Sequence, residues 1–156
     1  MSVHDKVAHL VGDWAGMNSL WLSPDEPARV SDTAASISVG MSDQVLSMQY
    51  TWSDKGRPQE GLIIAQYNAK TGEVTSAWTD TWHLRDTFMA CRGDVDEHGT
   101  MTMAGTYAAP PDSDWGWRIT IEPQTPSAFR LRMYNISPAG ESHLAVEAVY
   151  ARTLNA

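Results

Sequence analysis

Within the stretch SAWTDTWHLRD, Ser76 to Asp86, Asp80 makes the strongest chemical demand on its surroundings. In a strand, side chains alternate between two faces, so Trp78, Asp80 and Trp82 share one. Two indoles on a core face need no explanation, but a carboxylate between them does, because a buried charge is costly unless it is paired. Three roles are open to Asp80. It could accept hydrogen bonds from backbone N–H groups or an arginine and so orient structure, it could meet a ligand inside a cavity, or it could be exposed. The first is expected, with Arg118, Arg132 and Arg152 as unranked partners. Working with a nearby Tyr or His, the same carboxylate could instead act on a bound ligand.

Other reactive side chains offer less. His4, His9, His83 and His98 are scattered without metal-ligand spacing, so neither a metal nor a cofactor is expected. No Gly-x-Ser-x-Gly elbow or Gly-rich phosphate loop occurs. Cys91 has Arg92 beside it, but neighbours in a strand face opposite ways, and a core thiol is the simpler reading. Asp94 and Asp96 flank a hairpin and read as turn residues. No catalytic residue is assigned, and binding is favoured over enzymatic activity.

The aromatic residues point to a ligand. Seven tryptophans in 156 residues are more than a plain core needs. Trp14 reads as a core residue closing one end of the fold. Trp52, Trp78, Trp82, Trp115 and Trp117, with Tyr50 and Asp80, are candidates to line a cavity for a flat apolar or aromatic molecule. Met48 and Met133 join them because thioethers adapt to irregular ligands. The alternative is that these side chains simply fill the interior.

Composition narrows the partner further. The chain is 42% hydrophobic and 19% charged, as an ordinary globular domain is. Its formal charge of −8 disfavours nucleic acid, whose phosphates require a basic face. A single cysteine excludes an internal disulfide and suits a reducing compartment. MSVHDKVAHLVGDW lacks the long apolar stretch of a signal peptide, and no run of about 18 apolar residues could span a membrane. The expectation is one cytoplasmic domain over residues 1–156 that binds a small apolar or aromatic molecule, with self-association left open.

The elements that must position these residues are mostly strands. LSMQYTW puts Leu46, Met48, Tyr50 and Trp52 on one face, TMTMAGTY does so with Met101 and Met103, WGWRITIE with Trp115, Trp117, Ile119 and Ile121, and FRLRMYN with Phe129, Leu131 and Met133. Such sheets have one buried and one wet face. SDKGRP, NAKTG, DEHG and SPAGE supply Gly-containing turns. About ten strands joined by short hairpins follow, and closure would remove their open edges. The spacing of Val3, Val7, Leu10 and Val11 predicts a short helix over about 3–11, with Ser2 and Asp5 as a capping box. The predicted fold is all-β: an up-and-down antiparallel barrel over about 12–153 with that N-terminal helix across one end, and a two-sheet sandwich as the fallback.

Two motifs carry a family resemblance. LVGDWAG supplies Gly12 and Trp14, the Gly-x-Trp that opens lipocalin-like (calycin) barrels. QEGLIIAQYNAKTGEVTSAWTDTW, with Gly61, Tyr67, Asn68, Thr71, Gly72, Trp78 and Asp80, resembles a bacterial family of uncharacterised lipocalin-like proteins. The resemblance covers roughly Leu10 to Arg152 and implies a calycin-type barrel with an internal cavity, but no activity. Gly12 to Gly16 also resembles the opening of nitrobindins, which hold haem through a His near the C-terminus. His143, Tyr150 and Arg152 are the corresponding residues here. His143 stands two residues further from the Tyr than that pattern has it, so haem ligation through His143 is the weaker alternative.

Overall fold

The computed structural model describes residues 3–153. Ser2 of the expected capping box lies outside the described residues, as do the side chains of Val3 and His4. Ten strands follow a short helix, α1 (Val3–Val7): β1 Gly12–Leu20, β2 Arg29–Gly40, β3 Val45–Asp54, β4 Arg57–Tyr67, β5 Val74–Asp80, β6 Met89–Val95, β7 Met101–Tyr107, β8 Trp115–Thr125, β9 Ala128–Ile136 and β10 Ser142–Arg152. Each pairs antiparallel with the next, and β1 also pairs with β10, from Trp14 opposite Arg152 to Leu20 opposite Val146. The sheet is therefore a closed barrel, and the sandwich is excluded. No helix among the described residues is long and apolar enough to cross a membrane.

Period-2 alternation builds the interior as expected. Leu46, Met48, Tyr50 and Trp52 are all buried, as are Met101, Met103, Phe129, Leu131 and Met133. The helix is shorter than its spacing predicts. After Val7 the chain tightens into a 3-10 turn, Ala8–Leu10, and Val11 is already extended. Val7 and Leu10 are buried, but Val11 is 36% exposed. The reason is the entry into β1. Gly12 takes φ +139°, a conformation open to glycine, and there the chain turns into β1 alongside β10.

The α1 end of the barrel is plugged. Trp14 Nε1 donates to the Leu10 carbonyl at 2.9 Å, and the Trp14 ring meets Phe129 edge-on at 4.7 Å. Phe129 in turn stacks on Tyr150. The Arg152 guanidinium lies 4.2 Å over the Trp14 ring and donates to the carbonyls of His9 at 2.7 Å and Val11 at 2.9 Å. Above this plug, Met48, Ile63, Met103, Ile119 and Met133 fill the waist. Among the described residues the interior has room at the opposite end, where β5 and β7 finish and β6 and β8 begin.

Candidate functional site

Asp80 is the last residue of β5, and there the chain turns instead of running on through Trp82. Its side chain is 1% exposed and fully partnered. Oδ1 accepts the backbone N–H of His83 at 2.6 Å and of Leu84 at 2.9 Å. Oδ2 lies 2.5 Å from His83 Nδ1. The Asp80 carbonyl accepts the N–H of Arg85 at 2.7 Å. Aspartate side chains hold turns in this way, so the expected structural role is the one observed. The expected arginines are not the partners. Arg132 bonds Glu147 at 2.7 Å, Arg118 lies over the Tyr134 ring, and Arg152 belongs to the plug. The imidazole three residues away in the turn takes the place assigned to them.

A row across the inner face sets Asp80 in position. Tyr50, Gly61 and Asp80 are register partners on β3, β4 and β5. A Cβ on Gly61 would fall 2.0 Å from Tyr50 Cζ, so the phenol occupies the space that a side chain at position 61 would need. Tyr50 Oη accepts a hydrogen bond from Trp78 Nε1 at 2.9 Å. Burial pushes the Tyr50 hydroxyl well above its ordinary pKa, the Asp80 charge adds to this, and the bond from Trp78 opposes it. Tyr50 is thus held as a neutral hydroxyl that accepts from Trp78.

Indoles surround His83. Its ring centroid is 4.5 Å from Trp82, 5.3 Å from Trp117, 5.6 Å from Trp78 and 6.1 Å from Trp52. Trp78 and Trp117 stack on each other, 5.3 Å apart and 4° from parallel. Trp82 is held at the rim through Nε1, which donates to Asp54 Oδ2 at 3.2 Å, and Asp54 is paired with Arg29 at 3.0 Å. Trp78, Trp82, His83, Met89 and Trp117 wall a cavity of about 300 Å³. Tyr107 and Asn135 close its far side, with the Tyr107 hydroxyl donating to Asn135 Oδ1 at 2.5 Å. A larger groove of about 680 Å³ runs over the outside of β1–β5, past Ala15, Ala34, Ser36 and Thr51. The end cavity is the better candidate, because aromatic faces and a few polar groups converge there.

The candidate binding residues therefore separate. Trp78, Trp82 and Trp117 line the cavity, Trp52 backs Trp82 at 6.0 Å, and Tyr50 and Asp80 support it from behind. Met48 and Met133 lie in the waist. Trp115 is half-buried at the start of β8, its indole 3.4 Å from Asp112. His143 is 40% exposed beside Glu141 and is not a wall residue. Cys91 is buried, which raises its thiol pKa, and Asp96 holds its turn by accepting the N–H of His98 and Thr100. Sequence reasoning passed over His83 as one of several scattered histidines. The signal that marks it is Asp-x-x-His straight after a strand, the spacing of an aspartate-held turn.

A family model described as a protein of unknown function, DUF1579, matches residues 1–152. The chain belongs to the DUF1579 family. No curated protein matches it. Among solved structures, Rv2717c from M. tuberculosis is similar at a TM-score of 0.63 and 10% identity, over 97% of this chain and 98% of that one. The S-type phycobiliprotein lyase CPES from Guillardia theta is similar at 0.60 and 14% identity, over 100% and 95%. At these identities the likeness is one of fold. It agrees with the closed ten-strand antiparallel barrel that the DUF1579 chain builds.

Proposed function

We propose that this DUF1579 protein binds a small aromatic or apolar molecule in the open end of its barrel. The observation that carries the reading is the 300 Å³ cavity walled by Trp78, Trp82 and Trp117, a size suited to a ligand of one or two rings. Flat indole faces offer offset or edge-on contact to another ring, while the plug and the filled waist confine the ligand to one end. That a barrel of this architecture serves a phycobiliprotein lyase supports the idea that the fold hosts ligand chemistry. Native mass spectrometry of freshly purified protein tests the proposal. A co-purified mass below about 500 Da, lost in Trp82→Ala, is expected. Protein that carries no such mass and takes up no apolar aromatic probe would contradict it.

A second reading is favoured by the Asp80–His83 hydrogen bond. An imidazole oriented by a carboxylate is the arrangement of a general base, so an enzyme acting on a cavity-bound ligand follows from the same site. Haem through His143 has less support, because His143 sits beside Glu141 and the imidazole in the cavity wall is His83. Haem titration is expected to give no Soret band that His143→Ala abolishes.

A further inference from the structure

We propose that the cavity selects planar aromatics bearing a hydrogen-bond donor, a phenol O–H or a ring N–H, and seats that donor on His83 Nε2. The inference rests on the binding reading above and adds the chemical class of the ligand. An ionised carboxylate only accepts hydrogen bonds, and Asp80 Oδ2 lies 2.5 Å from Nδ1, so Nδ1 carries the ring hydrogen. In the neutral imidazole, Nε2 then holds the lone pair and is an acceptor. Asp80 cannot release this choice, because Oδ1 is already bonded to two backbone N–H groups of the turn. The carboxylate thus holds both the turn and the Nδ1 side of the ring.

Nε2 has no hydrogen-bond partner among the described residues, nor is it among their buried unpartnered atoms. His83 keeps 15% of its side chain exposed and is a wall residue of the cavity. With indole rings 4.5–5.6 Å from its centroid on the Trp82, Trp117 and Trp78 sides, an aromatic ligand in the cavity displaces water from Nε2. A ligand without a donor leaves that acceptor unsatisfied, whereas one with a donor replaces the lost water. A buried group left unpaired costs enough to discriminate by roughly tenfold or more. The geometry thus favours 2-naphthol over its methyl ether, although the ether is the more apolar of the two.

Calorimetric titration with 2-naphthol, 2-methoxynaphthalene and 2-acetylnaphthalene tests this directly. Wild-type protein is expected to bind 2-naphthol at least about tenfold more tightly than 2-methoxynaphthalene. His83→Leu is expected to lose that preference while still binding the ether. In Asp80→Asn, the carboxamide oxygen stays with the backbone N–H groups and its NH2 faces Nδ1. The hydrogen then moves to Nε2, and the preference inverts in favour of 2-acetylnaphthalene, which offers only an acceptor. A purely structural role for Asp80 would weaken all three probes alike. Equal wild-type affinity for naphthol and ether would overturn the donor selection and leave the binding reading standing. Failure of all three to bind would remove both. An Asp80→Asn variant that folds yet keeps the naphthol preference would overturn the tautomer assignment.

Discussion

Tyr50, Gly61 and Asp80 form one row, and each depends on the others. Gly61→Ala would place a methyl group 2.0 Å from Tyr50 Cζ, forcing the ring off β4 and breaking the bond to Trp78. A loss of about 2 kcal/mol is expected, as for overpacking in a core, and Tyr50→Leu in the same background should recover part of it, read by urea denaturation. The buried phenols also set an alkaline limit. Burial pushes Tyr150 up to about 12, opposed only by its bond to Thr33, and Tyr50 is raised as well. A folded pKa above the unfolded value of about 10 gives stability that is complete below pH 10 and lost as pH rises through 12. Tyr150 alone accounts for a loss of about 3 kcal/mol over that window. Tyr150→Phe should flatten the decline, checked by denaturation midpoints across the range. That Asp80 needs a partner was legible in its neighbours. The partner was not, because Trp78-x-Asp80-x-Trp82 keeps strand periodicity past the point where the chain turns, and only the turn brings His83 back.

Among the elements, the two ends of the barrel behave differently, and each rests on one polar device. At the plugged end Arg152 ties β10 to the segment before β1 by bonding the His9 and Val11 carbonyls and covering Trp14. Arg152→Ala should cost about 2 kcal/mol, the worth of a charge-assisted hydrogen bond or two at a partly exposed site. It should also let His9 titrate nearer its ordinary value, since burial first and Arg152 second hold it down. Histidine proton shifts followed by NMR would read this. At the open end the loop from 81 to 88 depends on Asp80, and Asp80→Ala strands the N–H groups of His83 and Leu84. A loss of about 3 kcal/mol is expected, concentrated in the loop and visible as faster amide exchange there. The strands were legible because alternating Met, Ile and Trp runs separated by Gly turns admit little else. The early end of the helix was not, because the chain must there enter β1 alongside β10, its partner from the far end of the sequence.

For the whole molecule, closure and polarity matter together. A closed barrel has no edge strand to protect, and with the waist filled and one end plugged, the interior opens at the end that carries the most indoles. The sequence counted the tryptophans but could not sort them, since Trp78, Trp115 and Trp117 look alike until register places them. Truncation should now sort them by experiment. Trp78 is fully buried, so Trp78→Ala should cost about 3–5 kcal/mol, whereas Trp82→Ala at the rim should cost less and change probe affinity more. The central claim, a ligand site at one end of the barrel, is tested most directly by the indole N–H signals in a 1H–15N spectrum during titration with 2-naphthol. Trp78, Trp82 and Trp117 are predicted to shift together in a saturable manner, while Trp14, bonded to Leu10 in the plug, stays fixed. Signals at Trp78, Trp82 and Trp117 that do not move, or a shift centred on Trp14, would contradict the account.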